Sequence, residues 1–328
     1  MTLACLCLGA GPAAAFTIGT SVTRACHEEM TLGGLSTALW PLGRSAPPPD
    51  GDDQALAQNL PFEVPPQTDR WSLAMLLGNR DNDTDGHSLV DLPETSAVQN
   101  SSADQAAHCL RSPSQDFAEG DLAALVDCRA FIEAQLELAI GPGAEPDLDA
   151  VEQVSMSLRF QEIRLPLSRY AFHVGKALHA LQDSFSHSFR QGSTPKVLSV
   201  FNYLDSALSP HFDERRDGYA HQSELDRCDG ADAASRLRVD LARAATVALL
   251  EALSAPAASR SDRVAAVLDA ALSYQPGCDS HNGWCGSVAA LAGDPPGEAT
   301  GEGCASISGG GPLALAALAM MLRRTARQ

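Results

Sequence analysis

The sequence predicts an all-α fold: a single large helical domain with long irregular loops. Of its 328 residues, 45% are hydrophobic, which is enough to bury a sizeable core. Aromatic residues make up only 5%, while Ala and Leu dominate several long segments. Ala and Leu favour helices, whereas aromatic residues are typical of β-sheets. The composition therefore favours a helical body over a β-sandwich.

Hydrophobic residues recur with helical spacing in five blocks. These blocks span 119–141, 148–164, 168–190, 231–255 and 261–274. Gly141-Pro-Gly143 and the segment 254–259 supply breaks between them. Earlier in the chain, the Pro and Asp clusters of residues 41–70 predict irregular chain at the surface.

The N-terminal segment MTLACLCLGAGPAAAF predicts export. Its short apolar run ends in three alanines, which fits the cleavage site of a secretory signal peptide over residues 1–15. Phe16 would then begin the mature chain. Of the nine cysteines, two would leave with the signal, and Cys304 lies in a Gly-rich tail. The other six are compatible with three disulfides, in which Cys278 and Cys285 are the expected local pair: Cys26, Cys109, Cys128, Cys228, Cys278 and Cys285.

The C-terminal region changes composition. Residues 287–311 form a Gly/Pro-rich linker, and residues 312–328 hold an apolar run followed by arginines. The run of ten residues at 313–322 is too short for an ordinary membrane span of about 20. This arrangement resembles the myxobacterial-type C-terminal sorting tail, which implies processing by a sorting machinery, with Cys304 anchoring the protein at the cell surface or outer membrane. The alternative is an amphipathic terminal helix packed on the body.

The formal net charge of −18 limits the partners of the protein. An acidic surface repels nucleic acid and anionic membranes unless bound cations reverse the field locally. We therefore expect no stable nucleic-acid partner, and peripheral contact with a membrane stays open.

The stretch HALQDSFSH carries the candidate chemistry. His179, Asp183 and His187 are spaced four residues apart, so on a helix they span only about 80° of its surface. Imidazole and carboxylate groups one turn apart are the ligands that a borderline cation such as Zn²⁺ binds. The sequence thus predicts a metal-binding helix at the centre of the domain, the alternative being half-buried histidines that only make hydrogen bonds.

The surrounding segment AFHVGKALHALQDSFSHSF, residues 171–189, resembles the signature helix of the zinc-dependent phospholipase C superfamily, which includes the fungal single-strand nucleases. That resemblance implies an all-α fold and up to three zinc ions. It also implies that His179 and Asp183 are ligands, that Asp183 bridges two ions, and that His187 binds the remaining one. The backbone of the mature first residue, Phe16, would complete the ligand set.

Further ligands follow from the same resemblance. The stretch LLGNRDND makes Asp83 a candidate, with Asp81 and Asp85 competing as members of a possible Ca²⁺ loop. The next histidine is His108, with His87 as the closer alternative.

ACHEEMT supplies His27, while Glu28 and Glu29 are expected to be a solvated first turn or an N-terminal helix charge pair rather than ligands. In RDGYAHQSELD, His221 is followed by Asp226 or Glu224 as its carboxylate partner.

The resemblance implies a secreted or surface-anchored zinc-dependent hydrolase of phospholipids or other phosphodiesters, which uses a metal-activated water. Asp83 and Asp183 are the expected catalytic carboxylates, with Asp81 competing for the role of proton acceptor. Two alternatives remain open: a nuclease or nucleotidase of the same superfamily, and a surface adhesion or structural protein without catalysis. The chain has only 3 Trp and 4 Tyr to stack on bases, which gives the nuclease little support.

Overall fold

The computed structural model describes residues 17–20, 23–38, 46–88, 104–143, 145–158, 161–190, 196–202, 210–221, 223–230, 233–282 and 285. All of these residues belong to one structural unit by their internal contacts. The predicted signal peptide, Phe16, the linker over 287–311 and the tail over 312–328 with Cys304 lie outside the described residues.

Helices dominate the described part of the chain, as the composition predicts. There are eight α-helices: α1 (Cys26–Thr37), α2 (Gly51–Asn59), α3 (Arg70–Thr84), α4 (Phe117–Ile140), α5 (Arg169–Ser186), α6 (Glu214–Asp217), α7 (Ala233–Leu253) and α8 (Ala257–Ala271). Two small antiparallel sheets correct the all-α prediction: β1 (Val151–Leu158) with β2 (Gln161–Ser168), and β3 (Ser188–Arg190) with β4 (Val197–Val200). Within the described residues, none of the helices combines the length and apolarity that a bilayer span requires.

Helix α5 is the centre of the fold. It packs against α1, α3, α4 and α7, and most of its side chains are buried on every side. Its polar side chains His179, Gln182 and Asp183 are as fully buried as its apolar ones. Its first turn is capped by Ser168, whose hydroxyl accepts the backbone N–H of Ala171 at 3.4 Å. Polar ligands on this helix are therefore surrounded by protein.

Two glycines let α3 and α5 approach until their backbones touch. A Cβ built at Gly78 would lie 1.9 Å from the carbonyl oxygen of Phe172, and one built at Gly175 would lie 2.1 Å from that of Met75. Any larger residue would force the helices apart. This close crossing brings Asp83, one to two turns after Gly78, next to the ligand-bearing turns of α5.

The predicted helix over 148–164 is wrong. Residues 151–158 and 161–168 form the paired strands β1 and β2, in which Val151 pairs with Ser168 and Leu158 with Gln161. The apolar residues Val154, Met156 and Leu158 alternate with polar ones, a period of two that fits a strand with one buried face. Pro166 within β2 is also a poor helix residue.

The N-terminal part holds more helix than its composition suggests. Residues 41–70 were expected to be irregular, but Asp50 starts α2 with a reciprocal capping box to Asp53. Asp69 then caps α3, because its carboxylate accepts the N–H groups of Trp71 and Ser72 at 3.0 Å each. Helix α3 continues through the DNDT segment, so the alternating aspartates form no Ca²⁺ loop.

Three disulfides use the six expected cysteines: Cys26–Cys228, Cys109–Cys128 and Cys278–Cys285. The predicted local pair is confirmed. Such pairing is consistent with an extracellular protein. Two of these bonds lie beside candidate ligands, since Cys26 precedes His27 and Cys109 follows His108.

Candidate metal centre

Three buried groups of histidine and aspartate side chains could each hold a metal ion. Within each group the candidate ligand atoms lie within 4.8 Å of one another. The first group is His27, His179 and Asp183; the second is Asp83, His108 and His179; the third is His187, His221 and Asp226. These are the side chains that sequence reasoning named, and the structure brings them together from distant parts of the chain.

The candidate ligands come from several elements, and all of them except His179 lie near the end of an element or outside one. His27 is in the first turn of α1, Asp83 is in the last turn of α3, and His108 ends a 3₁₀ helix over Asp104–His108. The central helix α5 contributes His179 and Asp183. Positions at element ends can be directed at one point without bending a helix or strand.

Asp183 joins the first and second groups. Its Oδ1 lies 3.0 Å from His27 Nε2, while its Oδ2 lies 3.0 Å from both His108 Nδ1 and His179 Nε2. Each carboxylate oxygen thus faces a different group. Burial alone would raise the pKa of Asp183, but the surrounding histidines hold it well below its usual range. Asp183 is therefore held as an anion whose two oxygens face histidines on opposite sides.

The second group is completed by Asp83. Its Oδ1 lies 3.8 Å from His108 Nδ1 and 3.8 Å from His179 Nε2. The two imidazole nitrogens are 3.3 Å apart. His179 is held in place by its other nitrogen, because Nδ1 donates to the backbone carbonyl of Asn79 at 2.7 Å. The nitrogen facing the group therefore has a free lone pair.

The third group lies just beyond the end of α5. His187 is the C-cap of the helix, and its backbone N–H still donates to the carbonyl of Asp183 at 2.9 Å. Its Nε2 lies 3.5 Å from Asp226 Oδ1, and His221 Nε2 lies 3.1 Å from the same oxygen. His187 Nδ1 donates to the carbonyl of His108 at 2.5 Å. That bond ties the third group to the second.

Several buried ligand atoms have no hydrogen-bond partner among the described residues. Both oxygens of Asp83 are in this position, although the residue is only 1% exposed. So are Asp226 Oδ2, His187 Nε2 and His221 Nδ1. A buried carboxylate without a donor is strongly unfavourable unless a cation compensates it. The donor set of imidazole nitrogen and carboxylate oxygen therefore fits divalent ions at these positions.

The negative charge of the buried aspartates changes the pKa values of the neighbouring histidines. Burial opposes protonation of His27, but the carboxylates of Asp183 and Asp83 raise its pKa to about 9. Burial likewise opposes protonation of His108, yet Asp183 and Asp83 raise its pKa. For His179, burial and the neighbouring His27 lower the pKa. In the metal-free protein, protons on His27 and His108 therefore compensate the negative charge of the aspartates.

A buried ion pair holds the chain just after the predicted cleavage site. The Glu28 carboxylate accepts the Gly19 N–H at 3.2 Å, and Arg80 donates to the Gly19 carbonyl at 2.6 Å and lies 3.4 Å from Glu28. Thr17 N–H donates to the carbonyl of Asp226 at 3.2 Å. The expectation of a solvated Glu28 is wrong: it is fully buried, because its carboxylate binds the N-terminal segment.

The alternative ligands are placed elsewhere. His87 is exposed, whereas His108 is buried in the second group. Asp81 accepts from Lys176 Nζ at 2.7 Å, and Asp85 is exposed after the end of α3. The side chain of Glu224 lies outside the described part, while Asp226 is fully buried beside His221.

Sequence reasoning missed the side chains that orient the ligands. Gln182 and Asn79 are fully buried next to the first and second groups. The sequence does mark Gln182, an uncharged polar residue within the segment LHALQD of the central helix. Its role could not be predicted, because its partners His27 and Asn79 lie more than 100 positions away.

Comparisons with protein-family models, with curated proteins and with solved structures find no match for this chain.

Proposed function

We propose that this protein is an exported zinc-dependent phosphodiester hydrolase, most similar in kind to phospholipase C. The observation that carries the proposal is the bridging position of Asp183 between two buried histidine groups, with a third group adjoining them. Adjacent divalent ions of this type are typical of enzymes that cleave phosphate esters.

The geometry of the second group supports zinc. Around a tetrahedral zinc ion with ligand distances of about 2.0–2.1 Å, neighbouring ligand atoms are about 3.3–3.4 Å apart. The nitrogen–nitrogen and nitrogen–oxygen separations among His108, His179, Asp83 and Asp183 run from 3.0 to 3.8 Å and enclose that value. Mixed nitrogen and oxygen ligands suit zinc better than Ca²⁺, which prefers oxygen alone.

When bound, zinc would lower the pKa of a water molecule and stabilise the charge that develops on the phosphoryl oxygens. The chain supplies the rest. Asp183 and the histidines would hold the ions. No hydrogen-bond donor occupies the carboxylate oxygens of Asp83, so this side chain could accept the proton that the nucleophile releases. Phe16 would complete the first group through its backbone after cleavage of the signal peptide.

Export is supported by the three disulfides, and surface anchoring through Cys304 is proposed on the sorting-tail resemblance alone. Because the bound ions would provide local positive charge, the net charge of −18 does not prevent binding of an anionic head group.

The test combines metal analysis with a substrate panel on the processed protein. We expect two or three zinc equivalents and hydrolysis of a phosphocholine ester and a phospholipid dispersion, with single-stranded DNA as the comparison substrate. Hydrolysis of the DNA alone would favour the nuclease alternative. One or no zinc equivalent without hydrolysis would favour the non-catalytic protein.

The matched variants are Asp83→Asn and Asp85→Asn, which make the same chemical change two residues apart. We expect Asp83→Asn to lose at least about 100-fold in turnover, since it removes a proton acceptor and a ligand. Asp85 is exposed in a left-handed conformation that Asn also tolerates, so its variant should keep full activity. Equal activity of the two variants would contradict the role of Asp83.

A further inference from the structure

Gln182 lies one residue before the bridging Asp183 and is fully buried where four helices meet. Its Oε1 is 2.7 Å from His27 Nδ1 on α1 and 3.2 Å from Asn79 Nδ2 on α3. Its Nε2 donates to Thr31 Oγ1 at 3.0 Å and to Thr246 Oγ1 at 3.1 Å. All of its hydrogen-bonding groups therefore have partners, as a buried amide requires.

The network determines which way the amide points. The Thr246 hydroxyl donates to the backbone carbonyl of Ala242 at 2.9 Å, so towards Gln182 it acts as an acceptor. It must therefore face the amide nitrogen. The amide oxygen is left facing His27, and an oxygen can only accept a hydrogen bond there.

This orientation decides the tautomer of His27. With Nδ1 protonated and donating to Gln182, the lone pair of the neutral ring is on Nε2, which points at Asp183 Oδ1 3.0 Å away. Nε2 is the atom that the first group would offer to a metal ion. His179 and His187 are oriented in the same manner, but by backbone carbonyls. For His27 the acceptor is a side chain, which a substitution can remove.

We infer that Gln182 is a positioning residue for the first metal group, which holds His27 in the Nδ1-protonated tautomer so that Nε2 can bind the ion shared with Asp183. This inference rests on the proposed zinc site but not on the identity of the substrate. Second-sphere partners of this kind typically contribute about 10–100-fold to metal affinity.

The experiment titrates metal-free protein with Zn²⁺ alone and counts the tightly bound equivalents. Gln182→Met has a similar shape but no acceptor, and we expect one equivalent to bind about 10–100-fold more weakly. Gln182→Glu keeps an acceptor for His27 and should bind this equivalent more tightly than Gln182→Met does. Thr246→Val removes a partner of the same amide without touching His27, and it should leave all equivalents unchanged.

A spectroscopic readout on the wild-type protein keeps the inference testable if a variant fails to fold. Long-range ¹H–¹⁵N NMR of the zinc-loaded protein should show His27 with a protonated Nδ1 and a zinc-bound Nε2. Zinc bound through Nδ1 would overturn the inference, as would a folded Gln182→Met protein with unchanged titration or an equal loss in Thr246→Val.

These outcomes separate the inference from the proposed function. Weakened binding in Gln182→Met without any phosphodiester hydrolysis by the wild type would support the role of Gln182 and refute the enzyme. Hydrolysis by a wild type whose zinc affinity does not depend on Gln182 would do the reverse. A wild-type protein that binds no zinc would refute both.

Discussion

Gly175→Ala should destabilise the protein, although alanine is the better helix former. The added Cβ would lie 2.1 Å from the Met75 carbonyl oxygen and 2.7 Å from the Asn79 nitrogen, both of which are backbone atoms of α3. The helices must separate by roughly 1 Å, and overpacking of this kind costs up to about 3 kcal/mol. The helical preference of alanine offsets about 1 kcal/mol. We expect a net loss of about 2 kcal/mol.

Gly33→Ala is the matched control for this change. Gly33 is inside α1, and a Cβ there meets nothing within 4 Å. Its variant should be more stable than the wild type by about 0.5–1 kcal/mol. Urea unfolding of both metal-free, disulfide-intact proteins measures the difference. Zinc affinity should also fall in Gly175→Ala alone, since the same shift moves His179 away from Asp83. Equal free energies of unfolding for the two variants would refute the proposed helix contact.

Three further predictions concern the ligand-bearing segments. Because the pKa of His27 is raised to about 9, this residue must lose a proton when metal binds. Zinc affinity should therefore rise roughly tenfold per pH unit between pH 6.5, the ordinary pKa of histidine, and about pH 9. A flat pH profile in chelator competition would contradict this. In metal-free protein the sign reverses: the stabilisation from protonated His27 is complete below pH 6.5 and is lost as the pH rises through about 9. Glu28→Gln leaves a buried arginine without its carboxylate and should cost roughly 3–5 kcal/mol in urea unfolding, whereas Glu29→Gln, in an exposed pair, should cost less than about 1 kcal/mol. Replacing Cys26 and Cys228 by serine opens a loop of 202 residues and should lower the unfolding free energy by about 5 kcal/mol; a variant as stable as the wild type would show that the bond does not constrain the unfolded chain.

The central helix could be predicted because its signals are local. The spacing of His179 and Asp183 already places both side chains on one helix stripe, and the apolar residues around them require burial. The predicted blocks at 119–141, 231–255 and 261–274 also correspond to helices, within a few residues at each end. In each of these segments the helical recurrence of apolar residues is visible without reference to the rest of the chain.

The β1–β2 hairpin shows where that reasoning fails. Over 148–164 the apolar residues fit both the helical period of 3.6 residues and the strand period of two. A segment this short does not distinguish between the two. The strands are stabilised by pairing with each other, so their conformation depends on contacts that lie outside either strand.

The amino-acid sequence by itself determined the chemical types of the candidate ligands, their spacing on α5 and the even set of cysteines available for pairing. Only the tertiary structure decided that His108 rather than His87 joins Asp83 and that Asp226 faces His221. It also decided that Glu28 is buried against the N-terminal segment and that Gln182 is buried against His27. The physical reason is that spacing along a helix reports one face of one element. The convergence of distant groups, such as His27 and Gln182, which are 155 residues apart, depends instead on how the helices pack against one another. At the crossing of α3 and α5, that packing depends on two glycines.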